Sequence, residues 1–353
     1  MKKILVLFGG CSPEYVVSLQ SAYSVLRHMD RERYRPIPVG ITQAGDWFLY
    51  TGKWEAIPAG TWQERHCLPA AVSPNRRDHG LLVWRRGGME IIPLDGAFPV
   101  LHGKNGEDGT VQGLLELAGI PVVGCGTLAS ALCMDKMRAH QLVQAAGIEI
   151  PRSLVFDRET SEQERMDGAA SLGYPLFVKP LRAGSSFGIS KVMSADQLHG
   201  AWKNALKYDE AMILEEAIPG FEVGCAVLGN KTLTIGEVDE VELSHGFFDY
   251  TEKYSLRTSA IHVPARITKE QAALVKAAAV TVYRALGCRG FARVDFFLTP
   301  SGKLVFNEVN TIPGLTAHSR FPKMLEAAGI PLEDAVTQAI EEALRPRERS
   351  YSP

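Results

Sequence analysis

The most specific chemistry in the chain is carried by four polar side chains near its carboxyl end. Arg293 and Asp295 stand two apart in FARVDFFL, and Glu308 and Asn310 stand two apart in LVFNEVN. Alternate side chains of a β-strand share a face, so each pair projects together. The runs 291–298 and 303–309 are separated by Thr299-Pro300-Ser301-Gly302, a hairpin signal. One sheet face then gathers a guanidinium, two carboxylates and an amide. Hard cations such as Mg2+ take oxygen ligands, which Asp295, Glu308 and Asn310 supply, with nucleotide phosphates completing the shell. The plain alternative is a solvated polar face with surface ion pairs. Against it stands the adjoining Asn310-Thr311-Ile312-Pro313-Gly314, a turn able to offer backbone N–H groups to an anion.

Two weaker features add to this. Lys179 ends an apolar run and is followed by Pro180-Leu181-Arg182-Ala183-Gly184-Ser185-Ser186-Phe187-Gly188, small residues that let backbone amides approach a phosphate. The spacing is not that of a P-loop, and an ordinary hairpin turn reads equally well. Glu215-Glu216-Ala217-Ile218 followed by Glu222 could meet an adenine amino group and ribose hydroxyls, although an acidic run is usually a surface feature.

The elements that must position these groups read as α/β. An apolar strand over 4–8 runs into Gly9-Gly10 and Ser12-Pro13-Glu14, and a helix should follow with Ser18 as N-cap and Leu19, Ala22, Val25, Leu26 and Met29 on one face. Further strands are expected at 36–41 and 95–101, which predicts an open parallel sheet. Residues 50–88 show little pattern and read as loops. His102 to Gly109 follows the carboxyl end of a strand, where open α/β sheets place ligands. A helix is expected over 135–146, then strands at 176–179, 190–193 and 212–215. The charged end from Arg345 to Pro353 reads as a frayed tail.

Composition narrows the classes. The chain has 353 residues, 38 basic and 40 acidic, for a net charge of -2. That balance argues against a general nucleic-acid surface. The length suits two or three domains, and no apolar run of membrane-spanning length occurs. The six cysteines, without CxxC or zinc spacing, read as buried thiols in a reducing compartment. The expected location is the cytoplasm, with no nucleic-acid or membrane partner.

Seven ordered motifs together resemble the ATP-grasp superfamily: LFGGCSPEYVVSLQSA, LHGKNGEDGTVQG, CMDKMRAH, FVKPLRAGSSFGISKV, FDYTEKY, FARVDFF and FNEVNTIPGLTAHSR. The chain looks like the D-alanine–D-alanine ligase family, and in particular its D-alanine–D-serine branch from glycopeptide-resistance systems. The resemblance implies three domains, 1–130, 131–220 and 221–353: an N-terminal open parallel sheet and two α+β domains clasping ATP. It implies ATP with two Mg2+ ions, or Mn2+ in their place, and a homodimer. Lys136, Lys179, Ser186 and Lys253 would contact the phosphates, Glu215 and Glu216 the adenine side, and Glu222 the ribose. Asp295, Glu308 and Asn310 match the metal site. Glu14 would hold the ammonium of a first D-alanine, with His102 beside it. Arg293 and the Gly314 amide match the oxyanion stabilisers, and Glu14, Ser185 and Tyr254 match a hydrogen-bonded trio joining domain, phosphate loop and lid.

The implied reaction phosphorylates D-alanine to an acyl phosphate, which the amine of a second substrate attacks. Ser319 matches the residue that binds that substrate's carboxylate. Arg320 follows it, where D-alanine–D-alanine ligases usually carry leucine. Its hydrogen-bond donors favour an acceptor bearing a hydroxyl, D-serine, unless the side chain merely points to solvent. The retained Lys253-Tyr254 pair argues against the D-lactate branch, and the usual product with D-serine is a wall precursor of low vancomycin affinity. One departure is Val16, where the family often has a second glutamate.

Overall fold

Among the described residues, alternating and continuous apolar runs resolve into three β-sheets that occupy successive stretches of the chain. The computed structural model describes residues 1–184, 186–243 and 259–346. The first sheet has seven strands, β1 (Lys2–Gly9), β2 (Tyr34–Ile41), β3 (Trp47–Tyr50), β4 (Cys67–Val72), β5 (Gly80–Arg85), β6 (Gly88–Pro93) and β7 (Gly96–Pro99), in the order β6-β5-β4-β3-β2-β1-β7. Ile4 to Phe8 are fully buried, as a central strand covered on both faces requires. β1 pairs in parallel with β2 and β7, whereas the pairs from β2 out to β6 are antiparallel. The sheet is therefore mixed, not the open parallel one expected. The stretch expected to be loops supplies β4 and β5, and β6 begins at its end; most of β6 is exposed, so no core-facing alternation marks it.

Helix α1 (Tyr15–His28) follows β1, and Glu14, not Ser18, occupies its N-cap position without a side-chain cap. Ser18 lies one turn inside and is fully buried. Its hydroxyl donates to the Val100 carbonyl and accepts from the Gly9 N–H at 2.8 Å, which ties the helix to the ends of two strands.

After β7 come α2 (Thr110–Leu117), α3 (Thr127–Met134) and α4 (Lys136–Ala145). Asp135 caps α4 by accepting from the Arg138 N–H at 3.0 Å. The second sheet, antiparallel in every pair, orders β8 (Ser153–Asp157), β9 (Leu176–Pro180), β10 (Ser190–Val192) and β11 (Ala211–Glu216) as β10-β9-β11-β8. Helices α5 (Glu162–Leu172) and α6 (Leu198–Ala205) share its core through Ala169, Trp202, Val178 and Leu214.

The third sheet is also antiparallel, with β12 (Phe221–Gly229), β13 (Leu233–Leu243), β14 (Ser259–His262), β15 (Phe291–Leu298) and β16 (Leu304–Asn310) ordered β14-β13-β12-β15-β16. Helix α7 (Lys269–Ala285) packs Val275, Ala279 and Val282 against Val223, Val227 and Val294 on one face. Helices α8 (Arg320–Ala327) and α9 (Leu332–Leu344) share a core with Ala226 and Leu228, and the same cluster continues into Ile4, Val25 and Phe98 of the N-terminal part. This shared core brings the two ends of the chain to one cleft. Cys125, Cys133, Cys225 and Cys288 are buried and not in disulfides, but Cys67 is half-buried and Cys11 is exposed in the loop after β1. Of the tail, residues 347–353 lie outside the described residues.

Candidate active site

The expected hairpin forms, with Asp295 opposite Glu308 and Arg293 opposite Asn310, and a bulge after Asp295. Arg293 grips Asp295 from Nε to Oδ1 at 2.8 Å and from Nη2 to Oδ2 at 2.7 Å. Asn310 Nδ2 donates to Asp295 Oδ2 at 2.9 Å and to Glu308 Oε1 at 3.4 Å. The four side chains thus share one face. Among the described residues no three His, Cys, Asp or Glu side chains group to hold a metal by themselves. Two carboxylates and an amide within hydrogen-bond reach of one another nonetheless fit Mg2+, which usually takes one or two carboxylates and completes its shell with water and phosphate.

Arg320 does not point to solvent. It is 5% exposed, with Nε donating to Asp239 Oδ2 at 2.6 Å, Nη2 to Asp239 Oδ1 at 2.8 Å, Nη1 to Glu222, and Nη2 lying 3.4 Å from Asp295 Oδ1. Burial opposes its charge, but Asp239, Asp295 and Glu222 outweigh burial and hold the proton more tightly than in a free guanidinium. Its donors are thus largely engaged by the chain's own carboxylates, and Glu222 is an ion-pair partner. Gly224 floors this cluster: a Cβ there would lie 2.6 Å from both Arg320 Nη2 and Asp295 Oδ1 and 2.8 Å from Asp239 Oδ1. Only glycine allows the three charges to converge.

On the neighbouring sheet, Lys179 Nζ pairs with Glu215 Oε2 at 2.5 Å, and both are buried. His140 Nε2 is 3.8 Å from Glu215 Oε1. Burial works against the Glu215 charge, yet Lys179, then His140, brings its carboxyl below the usual range. Lys136 Nζ donates to the Ala183 carbonyl at 2.7 Å, which places it under the loop after β9. Burial lowers its ammonium, and Lys179 adds to the effect while Glu308 opposes it. Two buried ammonium groups that repel each other gain from an anion between them. Glu216 holds Arg152 instead, through the Arg152 N–H and Nε, both at 2.8 Å. Ser186 turns the loop with a φ of 58°.

On the N-terminal side Glu14 and His102 are buried. A Cβ on Gly103 would lie 2.7 Å from Glu14 Oε2, and one on Gly184 would lie 3.3 Å from it, so the carboxylate sits between the His102 loop and the loop after β9. A Cβ on Gly314 would lie 2.7 Å from Ser319 Oγ, which also accepts from the Thr316 N–H at 3.2 Å. Glu107 accepts from the N–H groups of Gly103 and Ile312. Burial, then Glu14, pushes its carboxyl up, against the Gly103 and Ile312 N–H groups, which favour its ionised form. Ser185, Lys253 and Tyr254 lie outside the described residues.

Asp239 and Gly224 went unread in the sequence, and Glu107 and His140 were covered only within the longer motifs LHGKNGEDGTVQG and CMDKMRAH, with no role of their own. Asp239 sits in an otherwise unremarkable acidic stretch, Glu107 was covered only as part of the segment after the strand that ends at Leu101, and Gly224 matters only because side chains from β13, β15 and α8 meet over it. His140 carried one signal, its place four residues after Lys136 on the same helix face.

A model described as D-ala D-ala ligase C-terminus matches residues 142–341, and one described as D-ala D-ala ligase N-terminus matches residues 3–125. The crystal structure of VanG D-Ala:D-Ser ligase from Enterococcus faecalis is 54% identical with a TM-score of 0.90, over 97% of this chain and 99% of that one. A putative D-alanine–D-lactate ligase of Streptomyces coelicolor is 47% identical over 97% of each chain. A D-alanine–D-alanine ligase of Caldicellulosiruptor bescii is 43% identical over 99% of this chain and 97% of its own length.

Proposed function

Because the chain belongs to the D-alanine–D-alanine ligase family, we propose that it joins D-alanine to D-serine, with ATP converting D-alanine to an acyl phosphate and ADP and phosphate released. A carboxylate acylates poorly, so phosphoryl transfer first gives it a leaving group. Lys136 and Lys179 would neutralise the transferring phosphate, and Glu14 would hold the ammonium of the first D-alanine beside His102. Bound Mg2+, held by Asp295, Glu308 and Asn310, would offset charge on the phosphate oxygens. The acceptor amine, once deprotonated, attacks the carbonyl; Arg293 and the Gly314 N–H would hold the oxyanion while the C–O bond to phosphate breaks. Glu215 and Glu222 would face adenine and ribose, and Ser319 the acceptor carboxylate.

The observation that carries the acceptor assignment is the buried guanidinium that opens α8, directly after Ser319. The 54% identity to a structure described as a D-Ala:D-Ser ligase supports it. Arg320 Nη2 lies 3.4 Å from Asp295, farther than from Asp239, and its N–H towards Asp295 is the donor an acceptor hydroxyl can take while Asp239 keeps its two bonds. A leucine at this place offers a hydroxyl nothing. The test is ADP release at limiting acceptor: kcat/KM for D-serine should exceed that for D-alanine as acceptor. An equal or lower value with D-serine would return the chain to ordinary D-alanine–D-alanine ligation.

A further inference from the structure

Two straps cross from the N-terminal part to the turn that carries Gly314. Glu107 Oε1 accepts from the Ile312 N–H at 3.0 Å, and Ser21 Oγ accepts from the Leu315 N–H at 3.3 Å. These amides flank Gly314, two residues before it and one after. Both straps start beside the His102 loop: Glu107 Oε2 accepts from the Gly103 N–H at 2.9 Å, and Ser21 Oγ lies 3.4 Å from His102 Nε2. Gly103 in turn lies against the Glu14 carboxylate, its hypothetical Cβ 2.7 Å from Oε2. Glu107 therefore connects the place expected for the first substrate's ammonium with the place expected for its oxyanion. It does so with a side chain whose charge is opposed by burial and by the charges of Glu14 and Glu308, an electrostatically unfavourable position for a merely structural link.

We propose that Glu107 is a positioning residue that couples the first-substrate subsite to the oxyanion turn, holding Gly103 with one oxygen and Ile312 with the other so that the Gly314 N–H is aimed at the reacting carbonyl. The proposal rests on the ligase reading above. Glu107 touches no reacting atom; it acts through the two backbone segments that it holds together.

Glu107→Gln tests it in the full chain. A glutamine has one acceptor oxygen and one NH2 group, so one of the two amides loses its acceptor and meets a donor. Loss of an oxyanion-hole donor costs about 100- to 1,000-fold in kcat; a misaimed donor should cost roughly ten- to a hundredfold. KM for ATP should stay within about twofold, because the Lys179–Glu215 pair is untouched. Ser21→Ala should lower kcat less, and the double variant should lose less than the product of the single losses, since both residues hold one turn. If Glu107→Gln does not fold, Glu107→Asp, too short to span both amides, is read by the same split between kcat and KM. A kcat within about twofold of the parent enzyme would overturn the proposal, as would a loss of kcat that only tracks a common fall in ATP affinity and thermal midpoint. A parent enzyme that releases no ADP with any pair of D-amino acids would instead overturn the ligase reading, and the positioning role with it.

Discussion

Arg320 holds Asp239 through two hydrogen bonds, Nε to Oδ2 at 2.6 Å and Nη2 to Oδ1 at 2.8 Å, with the carboxylate wholly buried. This two-point grip fixes the plane of the guanidinium and leaves its remaining donors to Glu222 and Asp295. Removing one partner of such a buried pair costs about 3–5 kcal/mol, because the other charge stays behind unpaired. Asp239→Ala should therefore lower stability by about that amount in urea unfolding. Arg320→Leu should shift acceptor preference from D-serine towards D-alanine, read from kcat/KM for each; an unchanged ratio would count against direct recognition by Arg320.

Gly224→Ala places a methyl group 2.6 Å from Arg320 Nη2 and from Asp295 Oδ1. The atoms it meets are charged groups locked to one another, so they cannot swing aside. Overpacking of this kind costs about 1–3 kcal/mol, and ligation should fall by at least about tenfold as Asp295 and Arg293 shift. Wild-type turnover in this variant would show that the cluster has slack that its distances do not suggest.

Lys179→Met leaves Glu215, 3% exposed, without its 2.5 Å partner. A stability loss of about 3–5 kcal/mol is expected, together with a higher KM for ATP. Adding Glu215→Leu should recover much of the stability and none of the activity. Recovery of both would make the pair structural only.

Burial holds the His140 ring below its ordinary 6.5, against the pull of Glu215 and with the help of Lys179 and Lys136. The sign follows directly. As pH falls below about 6.5 the unfolded chain takes up a proton that the folded chain refuses, so stability present at higher pH is lost on acidification. The slope approaches about 1.4 kcal/mol per pH unit at most. His140→Phe should flatten the change in urea midpoint between pH 7 and about 5.5; an identical slope in the variant would assign the dependence to other groups.

How far the residues themselves disclosed this arrangement depends on the range of the interaction. Arg293, Asp295, Glu308 and Asn310 were legible because a strand's period of two and a four-residue turn are local rules, and the register obeys them. The core of β1 was legible for the same reason. The mixed character of the N-terminal sheet was not, because β6 is largely exposed and β3 has only four residues, too few to alternate. Ser18 looked like a cap because serine so often is one, while its hydroxyl in fact reaches Val100, 82 positions away. Arg320 was singled out correctly as unusual, but its partners lie 81 and 98 positions away and no local pattern announces them. Glu107 likewise spans 205 positions to reach Ile312.

The central claim is ligation of D-alanine to D-serine, and product analysis tests it most directly. The 353-residue chain, given ATP, Mg2+ and an equimolar mixture of D-alanine and D-serine, should accumulate D-alanyl-D-serine as the main dipeptide, one ADP per peptide bond. A product pool dominated by D-alanyl-D-alanine, or ADP released with no dipeptide at all, would contradict it.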